Sequence, residues 1–101
     1  MEIKNIDIVN ANAGITEIID QPVKGKVKFK LYKAKLELER LVTVIAKSLE
    51  NTNDEKEREE ILEETQVADI KKFTLNELEP LTLSVKQLFL LNVLIDEEEE
   101  E

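Results

Sequence analysis

A stripe of apolar residues through the middle of the sequence constrains the fold more than any other feature. Its members are Val27, Leu31, Ala34, Leu38, Leu41, Ile45 and Leu49. They are three or four residues apart, the spacing that brings side chains to one face of an α-helix. Pro22 suits the first turn of a helix, where no N–H is needed, and Asn51 to Asn53 form turns readily. The stripe therefore predicts one long helix over residues 22–49.

A β-strand is the alternative for the beginning of this stretch. Between Val23 and Leu31, apolar residues and Gly25 alternate with four lysines, a pattern typical of a half-buried strand. Gly25 inside a helix would also cost about 1 kcal/mol. We favour the helix because the apolar stripe continues through this segment without a change of phase. A strand would also need a turn near Leu31 to Lys35, where the chain has no Gly, Pro or Asn.

The residues before the long helix predict a strand followed by short helical turns. Met1 to Lys4 is expected to be a strand with Ile3 facing inward. Asn5 is a candidate N-cap for a short helix over residues 6–10, which Gly14 should interrupt. A second short turn is expected to end at Asp20. Helices this short are marginal alone, so the segment should pack against the long helix.

The second half predicts a helical hairpin and a buried final helix. Asp54 to Thr65 is expected to form the hairpin partner, with its acids facing the lysines of residues 24–35. Val67 to Phe73 is a candidate strand beside residues 1–4. The sequences TLNE (residues 74–77) and SVKQ (residues 84–87) match capping boxes, which begin helices. Val85 to Ile95 is apolar on almost every side, which indicates burial in the core or in a subunit interface.

These elements predict a mainly α fold: a long helix in an antiparallel helical hairpin and a short buried C-terminal helix, to which the candidate strands at residues 1–4 and 67–73 would add a small two-stranded sheet. With 101 residues, the chain is expected to form one domain over residues 1–95. Residues 96–101 are expected to be a solvated acidic tail that contributes little to stability.

Charge is unevenly distributed in this acidic chain. The net charge is −9, yet residues 22–36 contain six lysines and no acid. As a charged surface we consider Lys24, Lys26, Lys28, Lys30 and Lys33. On a helix they flank both sides of the apolar stripe, and long lysine side chains commonly extend around a packed helix. The segment also lacks Arg, and the net charge repels polyanions, so direct nucleic-acid binding is not expected. On the strand alternative four lysines would share one face, and such binding would be more plausible.

The composition excludes much catalytic chemistry. The chain has no Cys and no His, so thiolate nucleophiles and the commonest general base are absent. Neither serine has a histidine partner, and no glycine-rich phosphate loop occurs. The carboxylates lack the spacing of a calcium loop, and we expect no cofactor or metal. With no evident signal peptide and no long apolar run, we expect no membrane association and a location in the cytoplasm or in a virion.

Three segments carry a resemblance to known proteins: MEIKNIDIVNA at the start, PVKGKVKFKLYKAKLELERL in the middle, and FTLNELEPLTLSVKQLFLLNVLID near the end. In the order of its elements, the chain resembles small uncharacterised helical-hairpin proteins of tailed phages and prophages. That resemblance implies a phage or prophage origin and a non-enzymatic role. It supplies no functional residues, because the shared patterns are hydrophobic and turn patterns only.

Two hypotheses for function follow. The first is a homo-oligomeric structural or assembly protein of a phage particle, acting on a phage or host protein through apolar surface. The second is an acidic inhibitor that mimics nucleic acid and occupies a basic site on a host protein. The apolar stripe and final helix favour assembly, whereas the charge density favours inhibition. For an interaction surface the sequence suggests Leu88, Leu91, Leu94, Phe29, Tyr32 and Leu36.

Overall fold

Residues 1–96 are described by a computed structural model, and they are mainly helical. The helices are α1 (Asn5–Ile18), α2 (Lys26–Glu50), α3 (Glu55–Glu63), α4 (Leu75–Leu78) and α5 (Val85–Leu91), followed by a 3₁₀ turn (Asn92–Leu94). The strands are β1 (Glu2–Lys4), β2 (Thr65–Val67), β3 (Phe73–Thr74) and β4 (Ile95–Asp96). The predicted fold class is confirmed, with a long helix in an antiparallel hairpin, small two-stranded sheets and a short C-terminal helix.

The long helix α2 begins later than predicted. Its first residue is Lys26, so Pro22 lies outside it, and the strand alternative for residues 23–31 is wrong. Gly25 precedes the helix with φ of 78° and ψ of −152°, a backbone conformation that is nearly restricted to glycine. Gly25, which would destabilise a helix that contained it, therefore lies just before the first residue of α2. Six of the seven stripe residues are buried, and Leu49 is partly buried.

The hairpin partner of α2 is α1, which is one continuous helix rather than two short turns. Gly14 does not interrupt it. Instead, a Cβ at position 14 would lie 3.0 Å from side-chain atoms of Leu90 and Leu91, so glycine allows α5 to approach closely. Two contacts show that the helices run antiparallel. In the middle of α1, Lys35 Nζ donates to Asn12 Oδ1 at 3.2 Å. The start of α1 lies farther along α2, where Gln66 bridges it to the carbonyl of Leu41.

The acidic helix α3 was expected to face the lysines of residues 24–35, and this prediction is wrong. The turn after α2 is short, so α3 stays at the C-terminal end of α2, whereas the lysines lie at its N-terminal end. At about 1.5 Å per residue, the 25 residues of α2 span roughly 37 Å. Arg58 fixes α3 there by donating to the carbonyl oxygens of Leu49 and Thr52 at 2.9 and 3.1 Å.

Two pairs of short strands connect distant parts of the chain. β1 pairs antiparallel with β2, with Ile3 opposite Gln66, and Ile3 is buried as predicted. The pairing strand begins at Thr65, however, and not at the predicted Val67. β3 pairs parallel with β4, with Phe73 opposite Ile95, which the sequence analysis did not predict.

Asn5 is not the N-cap that the sequence suggested. It is the first residue of α1, and its buried side-chain amide donates to the carbonyl oxygen of Ile61 at 2.7 Å. Its Oδ1 accepts from Gln66 Nε2 at 2.9 Å. The amide therefore connects α1 to α3 and β2, because a buried amide must find partners for both its donor and its acceptor.

Two capping boxes begin the two α-helices of the C-terminal region. Thr74 and Glu77 form one, and Ser84 and Gln87 form the other, as predicted. The final helix is shorter than the predicted 85–95, because α5 ends at Leu91 and the chain continues through the 3₁₀ turn into β4. β4 extends one residue beyond the predicted domain boundary. The rest of the predicted tail, residues 97–101, lies outside the described residues.

Candidate functional site: a basic and apolar groove on the long helix

The outer face of α2 exposes three large apolar side chains. Phe29 is 68% exposed, Tyr32 57% and Leu36 50%. Their spacing of three and four residues places them along one face, opposite the buried stripe that packs on α1. A helix that buries one face in its own domain is usually polar on the other. This second apolar face is therefore available to a partner.

A groove of about 820 Å³ lies between this face and the loop at residues 69–71. Phe29, Leu36 and Ile70 give it an apolar lining. Its basic lining comes from Lys26, Lys30, Lys33, Arg40 and Lys71. Hereafter we call this site the α2 groove. Two acidic residues, Glu37 and Asp69, also line it, so five cations exceed two acids beside the apolar surface. This excess suits an occupant that is both acidic and partly apolar.

The spacing along α2 explains the basic rim of the groove. Lys26, Lys33 and Arg40 are seven residues apart, close to two helical turns, so they lie near one line along the helix. All three are exposed, as is Lys71 on the opposite side of the groove. The rim cations are therefore accessible to negatively charged groups on a partner.

Lys30 is held in a different way, deeper in the groove. Its Nζ lies 2.7 Å from Glu77 Oε1, donates to the carbonyl oxygen of Lys72 at 2.6 Å, and lies 4.9 Å from the centre of the Phe73 ring. The hydrogen bond from Lys30 and that from the Thr74 backbone lower the pKa of Glu77. Lys30 thus joins α2 to the segment that follows the groove loop.

Glu37 fixes the loop itself. Its carboxylate accepts from Arg40 Nε and Nη2 at 2.9 and 2.7 Å, and from the backbone N–H of Asp69 at 2.9 Å. The hydrogen bond from Arg40, followed by that from Asp69, lowers the pKa of Glu37 to about 2. The carboxylate is therefore charged at neutral pH and holds residue 69 against α2, which sets the width of the groove.

The other two lysines suggested by the sequence lie beside a second, shallower groove. Lys24 and Lys28 line a groove of about 640 Å³ with Val23, Phe29 and Tyr32. Phe29 therefore separates two grooves, and the lysines of residues 24–33 are divided between them rather than forming one basic face. This division agrees with the expectation that they flank the helix on both sides.

Two of the suggested interaction residues are unavailable to a partner. Leu91 is 4% exposed and Leu94 is 1% exposed, because the end of α5 and the 3₁₀ turn pack on α1. They are core residues, so the expectation that they belong to an interaction surface is wrong. Leu88 is exposed, beside Val85 and Phe89, which the sequence analysis did not select. The sequence of α5 is apolar on almost every side, yet only part of its surface is buried.

The sequence analysis also missed Arg40, Ile70 and Lys71 in the α2 groove. The heptad spacing from Lys26 and Lys33 could have identified Arg40. Nothing in the pattern around residues 70–71 indicates which part of α2 they approach, because the β1–β2 and β3–β4 pairings decide the course of that loop.

Within residues 1–96, no cluster of three or more acidic side chains is arranged to hold a metal ion. No helix there is both long and apolar enough to cross a membrane.

Comparisons with protein-family models, curated proteins and solved structures give no match. Function is therefore inferred from the residues of the groove.

Proposed function

We propose that this chain is a non-enzymatic protein that acts by protein–protein interaction and self-associates through the α2 groove. The observation that supports this proposal is the exposure of Phe29, Tyr32 and Leu36 on one face of the longest helix. Such grouped apolar side chains are uncommon on soluble monomers and usually mark interaction sites. Symmetric homo-oligomers are the commonest way to cover them.

The composition of the groove also favours a protein partner over nucleic acid. The groove is lined by the aromatic Phe29 and by charged residues, and an aromatic side chain within a polar rim is typical of the centre of a protein interface. The net charge of −9 opposes the approach of a polyanion, and the single arginine of the rim is already paired with Glu37. Direct binding of nucleic acid is therefore not part of the proposal.

The resemblance to phage and prophage proteins supplies the biological setting that we propose. In that setting the chain is a structural or assembly protein of a phage particle, present in the host cytoplasm or in the virion. A small self-associating protein without Cys or His suits such a role, because assembly needs surfaces rather than chemistry.

A second candidate function is supported by α3. Every acidic side chain of residues 54–64 is exposed, and this short segment contains seven acids and two bases. A solvated acidic helix of this kind is compatible with an inhibitor that occupies a basic site on a host DNA-binding protein. In that case the protein would be a monomer that retains such a protein from a bacterial lysate.

Self-association is tested by measuring solution mass with light scattering at tens of micromolar. We expect the unmodified protein to be an oligomer and the variant Phe29→Gln/Leu36→Gln to be a folded monomer. The matched control is Val85→Gln/Phe89→Gln, which removes two apolar side chains of α5 that are more exposed than Phe29 and Leu36. We expect this control to keep the mass of the unmodified protein.

The unfolding midpoint of each variant shows whether a change of mass reflects binding or misfolding. All four positions are exposed, so the substitutions should cost little stability. An unmodified protein that is already monomeric contradicts the proposal and favours the inhibitor. Equal loss of mass in both variants would also contradict it, because the α2 groove would then not be the contact.

A further inference from the structure

The α2 groove and α3 are two exposed surfaces of opposite charge. The groove rim carries Lys26, Lys33 and Lys71, all exposed. The outer surface of α3 carries four glutamates and one lysine: Lys56, Glu59, Glu60, Glu63 and Glu64. Charge complementarity of this kind directs association and sets which surfaces meet.

These two surfaces do not meet within one copy. Among residues 1–96, the ion pairs of the basic segment join Lys30 to Glu77 and Lys35 to Glu39, and the ion pair of α3 joins Lys4 to Glu63. The groove lies along the first half of α2, whereas α3 follows the end of α2. Among residues 1–96, the charges of the two surfaces are therefore not paired with each other within one copy, and a second copy can bring them together.

We propose that the α2 groove of one copy binds the acidic outer surface of α3 from another copy. This inference rests on the proposed function, since it specifies which surfaces meet in the self-associated protein. In this contact Glu59, Glu60 and Glu64 face the cations of the rim, while Leu62 stays packed on the core of its own copy.

Electrostatics disfavour the simpler arrangement in which two grooves face each other. That arrangement would bring the three exposed rim lysines against the same lysines of the other copy, and like charges across an interface cost free energy. Two facing copies of α3 would meet the same penalty with acids. The groove-to-α3 contact avoids both, because a groove lined by five cations and two acids would face a surface of four glutamates and one lysine.

The dimensions also agree. α3 has nine residues, so it is about 14 Å long, and the rim from Lys26 to Arg40 extends over roughly 21 Å of α2. The groove can therefore accept the whole of α3.

The test uses two neutralised variants of the full-length protein. The groove variant replaces the three rim lysines that form no ion pair within residues 1–96: Lys26→Gln, Lys33→Gln and Lys71→Gln. The α3 variant replaces three exposed glutamates: Glu59→Gln, Glu60→Gln and Glu64→Gln. Lys30, Arg40 and Glu63 stay unchanged, because their ion pairs support the fold.

Matched controls change the same charge elsewhere on the surface. The basic control is Lys24→Gln/Lys28→Gln/Lys86→Gln, and the acidic control is Glu2→Gln/Asp20→Asn/Glu79→Gln. All six positions are exposed. These controls separate a local contact from the effect of a changed net charge.

Each neutralised variant alone should lose self-affinity by roughly tenfold or more, as expected when three exposed charge pairs are removed. Mixed in equal amounts, the two variants should form a complex, because one supplies an intact α3 and the other an intact groove. We expect light scattering to report a mixed species heavier than either variant alone. High salt should weaken it, and the controls should resemble the unmodified protein.

Other outcomes overturn the inference. One such outcome is that the unmodified protein self-associates, that Phe29→Gln/Leu36→Gln abolishes this self-association, and that the mixed groove and α3 variants form no complex. The groove would then bind some other part of the second copy, and the proposed function would stand. A monomeric unmodified protein removes the proposed function and this inference together. Binding of a fluorescent single-stranded oligonucleotide that the groove variant loses and the basic control keeps would assign the groove to nucleic acid instead.

Discussion

Lys30 and Glu77 connect the long helix to the segment that carries the second sheet. Their side chains are 2.7 Å apart, and Glu77 also completes the capping box with Thr74 at the start of α4. One carboxylate therefore stabilises a helix N-terminus and an ion pair between two distant parts of the chain. Because Lys30 also borders the α2 groove, this pair links the stability of the fold to the shape of the groove.

The first prediction concerns this pair. Replacing Glu77 with Ala removes the ion pair and the carboxylate half of the capping box, and we expect a loss of about 1–2 kcal/mol of unfolding free energy. Glu77→Gln keeps an acceptor for the Thr74 backbone but not the charge, so its loss should be smaller. Urea unfolding of both variants measures the difference. Equal losses would show that the cap contributes nothing beyond the charge.

The second prediction concerns pH and Glu37. The pKa of Glu37 is lowered from 4.5 to about 2 in the folded protein, so the unfolded state binds the proton more readily. Its stabilising effect should be complete above about pH 4.5 and should be lost as the pH falls towards 2. The unfolding midpoints of the unmodified protein and of Glu37→Gln should therefore differ at pH 7 and converge near pH 2. A constant difference across this range would exclude the charge as the cause.

The third prediction concerns the buried amide of Asn5. Asn5→Ala leaves the carbonyl of Ile61 and the side-chain amide of Gln66 without these partners, so we expect a loss of about 1–3 kcal/mol. The control is Asn53→Ala, an exposed asparagine in the turn after α2, whose loss should be much smaller. Chemical denaturation provides both values, and equal effects would show that the contacts of Asn5 are not stabilising.

The fourth prediction separates core from surface in the C-terminal region. Leu94→Ala should cost about 2–5 kcal/mol, because it leaves a cavity in a fully packed site. Leu88→Ala should cost far less, since Leu88 is 40% exposed. Thermal unfolding distinguishes the two. Similar costs would mean that Leu88 is also covered, as it would be inside an oligomer.

The fifth prediction concerns the close approach of α5 to α1. Gly14→Ala adds a methyl group about 3.0 Å from atoms of Leu90 and Leu91. Overpacking commonly costs about 1–3 kcal/mol, and the gain in helix propensity offsets about 1 kcal/mol of it. We therefore expect a net loss of stability, measured by urea unfolding. A more stable variant would show that α5 can move away without cost.

The sequence alone determined the local elements whose signals lie within a few residues. The period of the apolar stripe identified α2, because one helical face must be buried whatever it packs against. Thr74 and Ser84 marked two helix starts, since a capping box closes within four residues. The same reasoning placed Phe29, Tyr32 and Leu36 on the face opposite the stripe, where the structure leaves them exposed.

Only the tertiary structure decided which elements meet. It made α1 continuous through Gly14, because contact with α5 favours the helix more than glycine disfavours it. In the tertiary structure, the hairpin partner of α2 is α1 rather than α3. Leu91 and Leu94 are buried there, whereas Val85 and Phe89 are exposed. Local patterns cannot supply these outcomes, because burial depends on residues far away in the chain. The α2 groove exists for the same reason, since the loop at residues 69–71 is held against α2 by Glu37.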